Sequence, residues 1–215
     1  MLALERHFEN KTHIIWDWNG TLIDDAHVCV EVMSSILREH QLPELTLERY
    51  RALFRLPVVS YYEELGFDLQ AVSFDKLARD FVKRYRENVF RCSLFPGASE
   101  LLASLKARGK CLSVLSAAYE SELKELITHY GIEHCFDYIC GLSDIYAVSK
   151  VQRGRELMAY WKIAPSSIIL VGDMDHDAEV GRELGIDVLV LGDGHQSYDR
   201  LKDTHPLVVE SRNLI

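Results

Sequence analysis

Residues 13–21 read His-Ile-Ile-Trp-Asp-Trp-Asn-Gly-Thr, a short apolar run that stops on an acidic residue and then turns. The apolar part is typical of a buried strand, and Asn19-Gly20 favours a bend because both residues tolerate tight backbone conformations. Asp17 is therefore expected at the carboxyl end of a strand. Ligands bind at that edge of open parallel sheets, so Asp17 is a candidate catalytic residue, with a structural turn aspartate as the alternative.

The composition limits the class of protein. The chain has 215 residues, of which 48% are hydrophobic, and a net charge of -9, which argues against a nucleic-acid partner because phosphate backbones bind clustered Lys and Arg. The five cysteines are odd in number and lack metal-binding spacing, which indicates reduced thiols. No apolar run reaches the ~18 residues of a membrane span, so we expect a cytoplasmic protein without a membrane partner. The sequence predicts no particular oligomeric state.

The second half of the chain alternates between helix and strand patterns. Strands are predicted at 111–115, 136–140, 168–171, 187–191 and, more briefly, 207–209, with helices at 101–109, 120–130, 150–161 and 178–184. The runs at 168–171 and 188–191 are continuously apolar, as is typical of parallel strands that helices cover on both faces. The predicted fold class is therefore α/β, with a doubly wound parallel sheet.

The segment 24–91 has helical spacing without a strand pattern, and Pro43, Pro57 and Gly66 divide it into three or four helices. We interpret it as an inserted α-helical cap, with residues 1–23 and 92–215 forming the core. Arg51 and Arg55 lie four residues apart and are predicted to share a helix face and bind an anionic substrate. A solvated surface pair is the alternative.

Polar residues follow three of the predicted strands. These residues are Asp17, Ser116 and the acidic run with Asp173 and Asp177, while Lys150 begins the helix before the last of these strands. Parallel pairing brings the strand ends to one edge. Mg²⁺ commonly takes one or two carboxylates together with a substrate phosphate. A transferring phosphoryl group needs neutralising cations and hydroxyl donors, and a carboxylate can accept it covalently.

Together and in this order, these residues resemble the haloacid dehalogenase-like hydrolase superfamily, in particular its helical-cap phosphatases such as phosphoglycolate phosphatase. The stretch 17–21 is similar to the first motif, Ser116 to the second, Lys150 to the third, and Asp173 with Asp177 to the fourth. The resemblance covers nearly the whole chain. It implies a Rossmann-like core and Mg²⁺-dependent hydrolysis of a small phosphorylated metabolite in the cytoplasm.

The resemblance also implies a role for each matching residue. Asp17 would attack phosphorus to form an aspartyl-phosphate, while Ser116 and Lys150 bind the phosphoryl oxygens. Mg²⁺ would be held by Asp17, the backbone carbonyl of Asn19 and Asp173, with Asp177 supporting. No fixed role is implied for the neighbouring acidic-loop residues Asp175 and His176.

Asn19 departs from the family pattern, in which an aspartate protonates the leaving oxygen and then takes a proton from the attacking water. An amide does neither, which predicts a slow enzyme, a restriction to good leaving groups or a long-lived aspartyl-phosphate. A non-catalytic phosphate-binding or regulatory protein stays open as an alternative. A dehalogenase, which needs no metal, and a phosphonatase, which needs a cap lysine such as Lys76 or Lys83, are disfavoured alternatives.

Overall fold

A computed structural model describes residues 4–142 and 150–210. The strands in chain order are β1 His13–Trp16, β2 Ile23–Asp24, β3 Ser93–Leu94, β4 Cys111–Tyr119, β5 Tyr138–Leu142, β6 Ile168–Gly172, β7 Asp187–Leu191 and β8 Val208–Val209. Six of them form one parallel sheet in the order β5-β4-β1-β6-β7-β8. The remaining two, β2 and β3, pair as a short antiparallel ribbon. The predicted α/β fold class is confirmed.

The helices in chain order are α1 Ala26–Glu39, α2 Leu47–Leu53, α3 Val58–Leu65, α4 Phe74–Asn88, α5 Ala98–Ala107, α6 Glu120–His129, α7 Val151–Trp161, α8 Asp175–Leu184 and α9 Tyr198–Leu201. Single 3-10 turns lie at Glu5–Phe8, Val89–Arg91, Glu133–Cys135 and Pro165–Ser167. None of the helices in the described part of the chain is long and apolar enough to cross a membrane.

Both faces of the sheet are covered, and this explains why its strands read as unbroken apolar runs. Alternate residues of a strand point to opposite faces. In β1, Ile14 and Trp16 pack with the cluster that includes α1, α5 and α6, whereas Ile15 packs with the cluster on α7 and α8. Because β1 lies at the centre of the sheet, the stretch that ends at Asp17 is buried on both sides.

Several predicted boundaries differ from the observed ones, among them the helix expected at 101–109, which is Ala98–Ala107. The strand expected at 111–115 continues to Tyr119, because after an irregularity in register beyond Leu115 the chain rejoins β5 at Leu142. Ser116 therefore lies within β4 and not after it. The next strand begins at Tyr138 and not at 136, and α8 begins at Asp175, because Asp177 caps its first turn.

Four helices, α1 to α4, fill most of the segment predicted as a cap, and we call them the cap helices. Their apolar residues, such as Met33 and Tyr61, join the same cluster as Trp16 of the sheet. The ribbon of β2 and β3 lies where the chain leaves and re-enters the core, so the strand residue Asp24 was wrongly assigned to the helical pattern. The domain boundaries at 23/24 and 91/92 stay a prediction.

Candidate active site

Three buried carboxylates meet at the carboxyl edge of the sheet. Asp17 follows β1, Asp173 follows β6, and Asp177 lies in the first turn of α8. One carboxylate oxygen from each lies within 4.8 Å of the others. Carboxylate oxygens are the ligands that Mg²⁺ prefers, so this cluster could hold a metal ion.

Lys150 is the cation of the cluster, and it sits at the start of α7 as its sequence position predicts. Its Nζ lies 2.9 Å from Asp17 Oδ1 and 2.7 Å from Asp177 Oδ1. Burial raises the pKa of Asp17 to about 7 in spite of Lys150. Burial would lower the pKa of Lys150, but the charges of the two aspartates outweigh it and raise that pKa. One lysine among three buried acids leaves an excess of negative charge that a divalent cation would offset.

Neighbouring donors fix the orientation of the carboxylates. Thr21 Oγ1 donates to Asp173 Oδ1 at 2.9 Å, and the backbone N–H of His195 donates to Asp173 Oδ2 at 2.6 Å. Asp177 Oδ2 accepts the backbone N–H groups of Asp173 and Met174, each at 3.1 Å. Donors from the loops after β1, β6 and β7 thus fix the orientation of Asp173 and Asp177.

Gly20 makes room for this arrangement. Its φ is +66°, and a Cβ at this position would lie closer than 3.0 Å to the Asp173 carboxylate and to the His195 ring. The turn after Asp17 therefore needs glycine both for its backbone and for its lack of a side chain.

Gly20→Ala is expected to lower the free energy of unfolding by more than the ~1–2 kcal/mol that a left-handed backbone costs an L-residue, and to weaken Mg²⁺ binding. Gly185→Ala is the matched control, since its φ is +69° but nothing lies within 4 Å of the added Cβ. Urea unfolding and Mg²⁺ titration of both variants measure the difference. Equal losses of stability in the two variants would show that the contact with Asp173 is unimportant.

Asn19 is tied into a second network beside the acids. Its Nδ2 donates to Asp25 Oδ2 at 2.8 Å and to Tyr85 Oη at 2.7 Å, and Tyr85 Oη donates to the same Asp25 oxygen at 2.6 Å. Asp25 Oδ1 also accepts the backbone N–H of Gly20 at 2.9 Å. The amide side chain is therefore held by a carboxylate and by a tyrosine from α4.

His195 completes the network. Its Nε2 lies 3.2 Å from Asp25 Oδ1, and its Nδ1 lies 2.7 Å from Tyr50 Oη. Burial would raise the pKa of Asp25, but the charge and hydrogen bond of His195 outweigh it and lower that pKa. Burial would lower the pKa of His195, but Asp25 outweighs it and raises that pKa to about 9. The two residues form a buried ion pair next to Asn19.

A cavity of about 250 Å³ lies between this edge of the sheet and the cap helices. Asp17, Asn19, Ser116, Lys150 and Asp177 line its core side, together with His176 and His195. Ser116 Oγ accepts the backbone N–H of Ala118 at 3.0 Å. The cavity brings the predicted nucleophile, serine and lysine to one space large enough for a small ligand.

The two cap arginines have other partners. Arg51 donates to the backbone carbonyls of Gly194 at 2.8 Å and Asp193 at 2.7 Å, and Arg55 pairs with Glu64 at 2.5 Å. The expected shared helix face is wrong, because α2 ends at Leu53. Neither arginine is among the described residues that line the cavity. Substrate binding by Arg51 and Arg55 stays a prediction that this arrangement does not favour.

The sequence profile of the family described as haloacid dehalogenase-like hydrolase matches residues 14–191. The chain belongs to this family. Phosphoglycolate phosphatase of Aquifex aeolicus is 30% identical over 80% of each chain. Tyrosine-protein kinase PtkA of Mycobacterium tuberculosis is 28% identical over 94% of this chain and 69% of its own length. A haloacid dehalogenase-like hydrolase structure from Streptococcus pneumoniae superimposes with a TM-score of 0.79, at 21% identity over 94% of this chain and 95% of its own.

As a haloacid dehalogenase-like hydrolase, the chain keeps the acids of the last motif, Asp173 and Asp177, which a metal-free dehalogenase would not need. The lysines that a phosphonatase would require are not placed for that chemistry. Lys76 and Lys83 are exposed on α4, and neither is among the described residues lining the cavity. The arrangement therefore favours neither alternative.

Four residues of the network were not among the predicted site residues: Asp25, His195, Tyr50 and Tyr85. His195 follows β7, so the rule that ligands bind at the carboxyl ends of parallel strands could have identified it. Asp25 precedes a predicted helix, and an acid at that position is also typical of an ordinary helix N-terminus, so it did not indicate a site. The two tyrosines carry no local signal, because their partners lie far away in the sequence.

The ion pair of Asp25 and His195 predicts a pH dependence of stability in this haloacid dehalogenase-like hydrolase. Because the pKa of His195 is raised above its ordinary 6.5, the pair contributes stability that is fully present below pH 6.5 and is lost as the pH rises through 9. A shift of one pKa unit corresponds to about 1.4 kcal/mol. The shift from 6.5 to about 9 therefore predicts that the free energy of unfolding falls by ~3 kcal/mol as His195 loses its proton.

Urea unfolding in EDTA at pH 6 and at pH 9.5 measures this loss. His195→Gln is expected to be less stable at pH 6 and to lose most of this pH dependence, keeping only the smaller part that comes from Asp17, whose pKa is about 7. His27→Gln, at an exposed position of α1, is the control that keeps the wild-type dependence. If the free energy of unfolding of His195→Gln fell with pH as steeply as that of the wild type, His195 would not be the cause of the pH dependence.

Proposed function

We propose that this protein is a Mg²⁺-dependent phosphatase that hydrolyses a small phosphorylated metabolite through an aspartyl-phosphate. The observation that carries the proposal is the position of Asp17, which is buried and lines the cavity together with Ser116, while Lys150 Nζ lies 2.9 Å from its Oδ1. Relatives named phosphoglycolate phosphatase support the reaction class. The predicted absence of nucleic-acid and membrane partners belongs to the same proposal.

In the first step, a carboxylate oxygen of Asp17 attacks phosphorus, and the bond from phosphorus to the ester oxygen breaks. Lys150 and the Ser116 hydroxyl bind phosphoryl oxygens and hold the group in line. In the second step, water attacks the aspartyl-phosphate, which releases inorganic phosphate and restores the Asp17 carboxylate. Asn19 has no proton to exchange in either step, so the departing oxygen leaves as an anion or takes its proton from water.

The acidic cluster fits the metal ion that this chemistry uses. Asp17, Asp173 and the backbone carbonyl of Asn19 would hold Mg²⁺, with Asp177 behind them. The bound ion would neutralise phosphate charge during transfer. Asp177 also positions Lys150 through their ion pair at 2.7 Å. Its second oxygen accepts two backbone N–H groups, which holds the carboxylate in position for the lysine.

The experiment is phosphate release from a panel of phosphate monoesters with Mg²⁺ and with EDTA, combined with mass spectrometry of rapidly quenched protein. We expect release that needs Mg²⁺ and a mass increase of one phosphoryl group on the peptide containing Asp17. Binding of phosphate analogues without release or phosphoenzyme would instead favour the non-catalytic, regulatory alternative. That result would overturn the proposal.

A further inference from the structure

The cap side of the cavity is apolar. Thirteen residues between Cys29 and Tyr85 line it, and none of them is Lys, Arg, Asp, Glu, Asn or Gln. Its surface is made by aliphatic side chains and aromatic rings, for example Met33, Phe54, Phe74 and Phe81. Apolar walls favour a ligand portion that is itself apolar, because burial of such surface is the main source of binding energy.

The cations near the cavity already have anionic or carbonyl partners. Lys150 pairs with Asp17 and Asp177, and His195 pairs with Asp25. Arg86, beside a smaller neighbouring cavity, pairs with Glu122. Within the described residues, no Lys or Arg of the cap helices lines the cavity, so none faces a second anionic group of a substrate there. The segment 143–149 that precedes Lys150 contains no Lys or Arg.

Tyr61 supplies one polar group in the apolar wall. Its side chain is 2% exposed, and its hydroxyl has no hydrogen-bond partner among the described residues. A buried hydroxyl without a partner is costly, and a ligand atom that reached it from the adjoining cavity would supply the missing hydrogen bond.

Asn19 adds an independent restriction on the leaving group. An alcohol must leave as an alkoxide unless an acid protonates the departing oxygen. The pKa of an alcohol is close to that of water, ~16, so departure of the alkoxide is slow. A phenol has a pKa of ~10, so a phenolate leaves without help. Both ring nitrogens of His195 and the Tyr85 hydroxyl are engaged with neighbours, so neither replaces the missing acid. If His176, which lines the cavity and whose Nε2 has no partner among the described residues, supplied the acid instead, cyclohexyl phosphate would be hydrolysed as fast as phenyl phosphate.

We propose that the substrate is a small aryl phosphate, an uncharged single-ring phenol esterified to phosphate and carrying one polar substituent that hydrogen-bonds Tyr61 Oη. This inference rests on the proposed phosphatase function. The cavity of about 250 Å³ is below the ~300–1,000 Å³ of sites for drug-sized ligands, which limits the organic part to about one ring. A second anionic group, such as a carboxylate, is disfavoured because it would be buried without a partner.

The test separates binding from leaving-group reactivity. Inhibition constants are measured for three phosphonates that cannot be hydrolysed: 4-hydroxybenzylphosphonate, benzylphosphonate and phosphonoacetate. We expect 4-hydroxybenzylphosphonate to bind at least tenfold more tightly than phosphonoacetate. Tyr61→Phe is expected to raise the inhibition constant of 4-hydroxybenzylphosphonate by about fivefold to tenfold and to leave that of benzylphosphonate unchanged. Tyr160→Phe is the control, because Tyr160 is 69% exposed.

The matching substrates are 4-hydroxyphenyl phosphate, phenyl phosphate, cyclohexyl phosphate and 2-phosphoglycolate. We expect kcat/KM to fall in that order. Tighter binding of phosphonoacetate than of both benzyl compounds, with efficient hydrolysis of 2-phosphoglycolate, would overturn the substrate class and leave the phosphatase function standing. Tight benzylphosphonate binding without turnover of any ester, and without an Asp17 phosphoenzyme, would overturn the phosphatase function itself.

Discussion

Replacing Asp17 with asparagine is expected to lower the rate of phosphate release by ~10⁴-fold or more, because the amide cannot attack phosphorus. The same change is expected to preserve or increase stability at neutral pH. Burial raises the pKa of Asp17 to about 7, which means that the fold disfavours the charged form. Lys150 keeps Asp177 as a partner in the variant.

Steady-state phosphate release and urea unfolding of Asp17→Asn measure the two effects on the same protein. Asp199→Asn is the matched control, since this aspartate is 85% exposed and pairs only with Lys202 on the surface. We expect the control to retain wild-type activity. Residual activity above one hundredth of the wild-type rate would mean that the nucleophile lies elsewhere. A large loss of stability would mean that inactivity reports misfolding.

Exchanging the side chains at positions 19 and 25 is expected to give this enzyme the acid that it lacks. Asn19→Asp alone places a second carboxylate against Asp25, where Asn19 Nδ2 now donates at 2.8 Å. The two like charges would repel, lower the stability and raise the pKa of one carboxyl. In the double variant Asn19→Asp with Asp25→Asn, the amide of residue 25 can donate to the carboxylate of residue 19. The hydrogen bond between the two positions is then kept, with donor and acceptor exchanged.

General acid catalysis contributes ~10²–10⁴-fold, and alkyl phosphates need it most because their leaving groups are poor. We therefore expect the double variant to hydrolyse cyclohexyl phosphate at least ~10²-fold faster than wild type, with a much smaller gain for phenyl phosphate. Asp25→Asn alone is the control and is expected to gain nothing, since it only removes the anionic partner of His195. An equal gain on both esters would contradict the role given to Asn19.

The sheet and its acidic edge were predictable because their determinants are local in the sequence. A continuous apolar run predicts a strand buried on both faces, and an acid followed by Asn-Gly predicts where it ends. Asp17 and Asp173 follow β1 and β6 in this way. The alternation of strands and helices then brings both acids to one edge, as the sequence analysis expected.

The contacts of the cap were not predictable in the same way. Arg51 and Arg55 have the spacing of neighbours on a helix, but α2 ends between them, and Arg51 instead binds the carbonyls of the loop after β7. His195 lies on that same loop, and its partner Asp25 is 170 positions earlier in the chain. Such pairs depend on how distant segments pack, and local pattern carries no information about that packing.

The ribbon of β2 and β3 has a consequence for how a protein of this kind can change. Asp24 and Ser93 face each other as paired residues, so the chain leaves the core and returns to it at neighbouring points. Paired strands lie ~5 Å apart, a gap that one or two residues can bridge. The segment between them is therefore joined to the sheet at a single junction, while Asp25, Tyr50 and Tyr85 within it contact Asn19 and His195 of the site. A different helical segment could be inserted at this junction without changing the order of the strands in the sheet. Such an exchange would change the residues that line the cavity and leave Asp17, Ser116 and Lys150 in place.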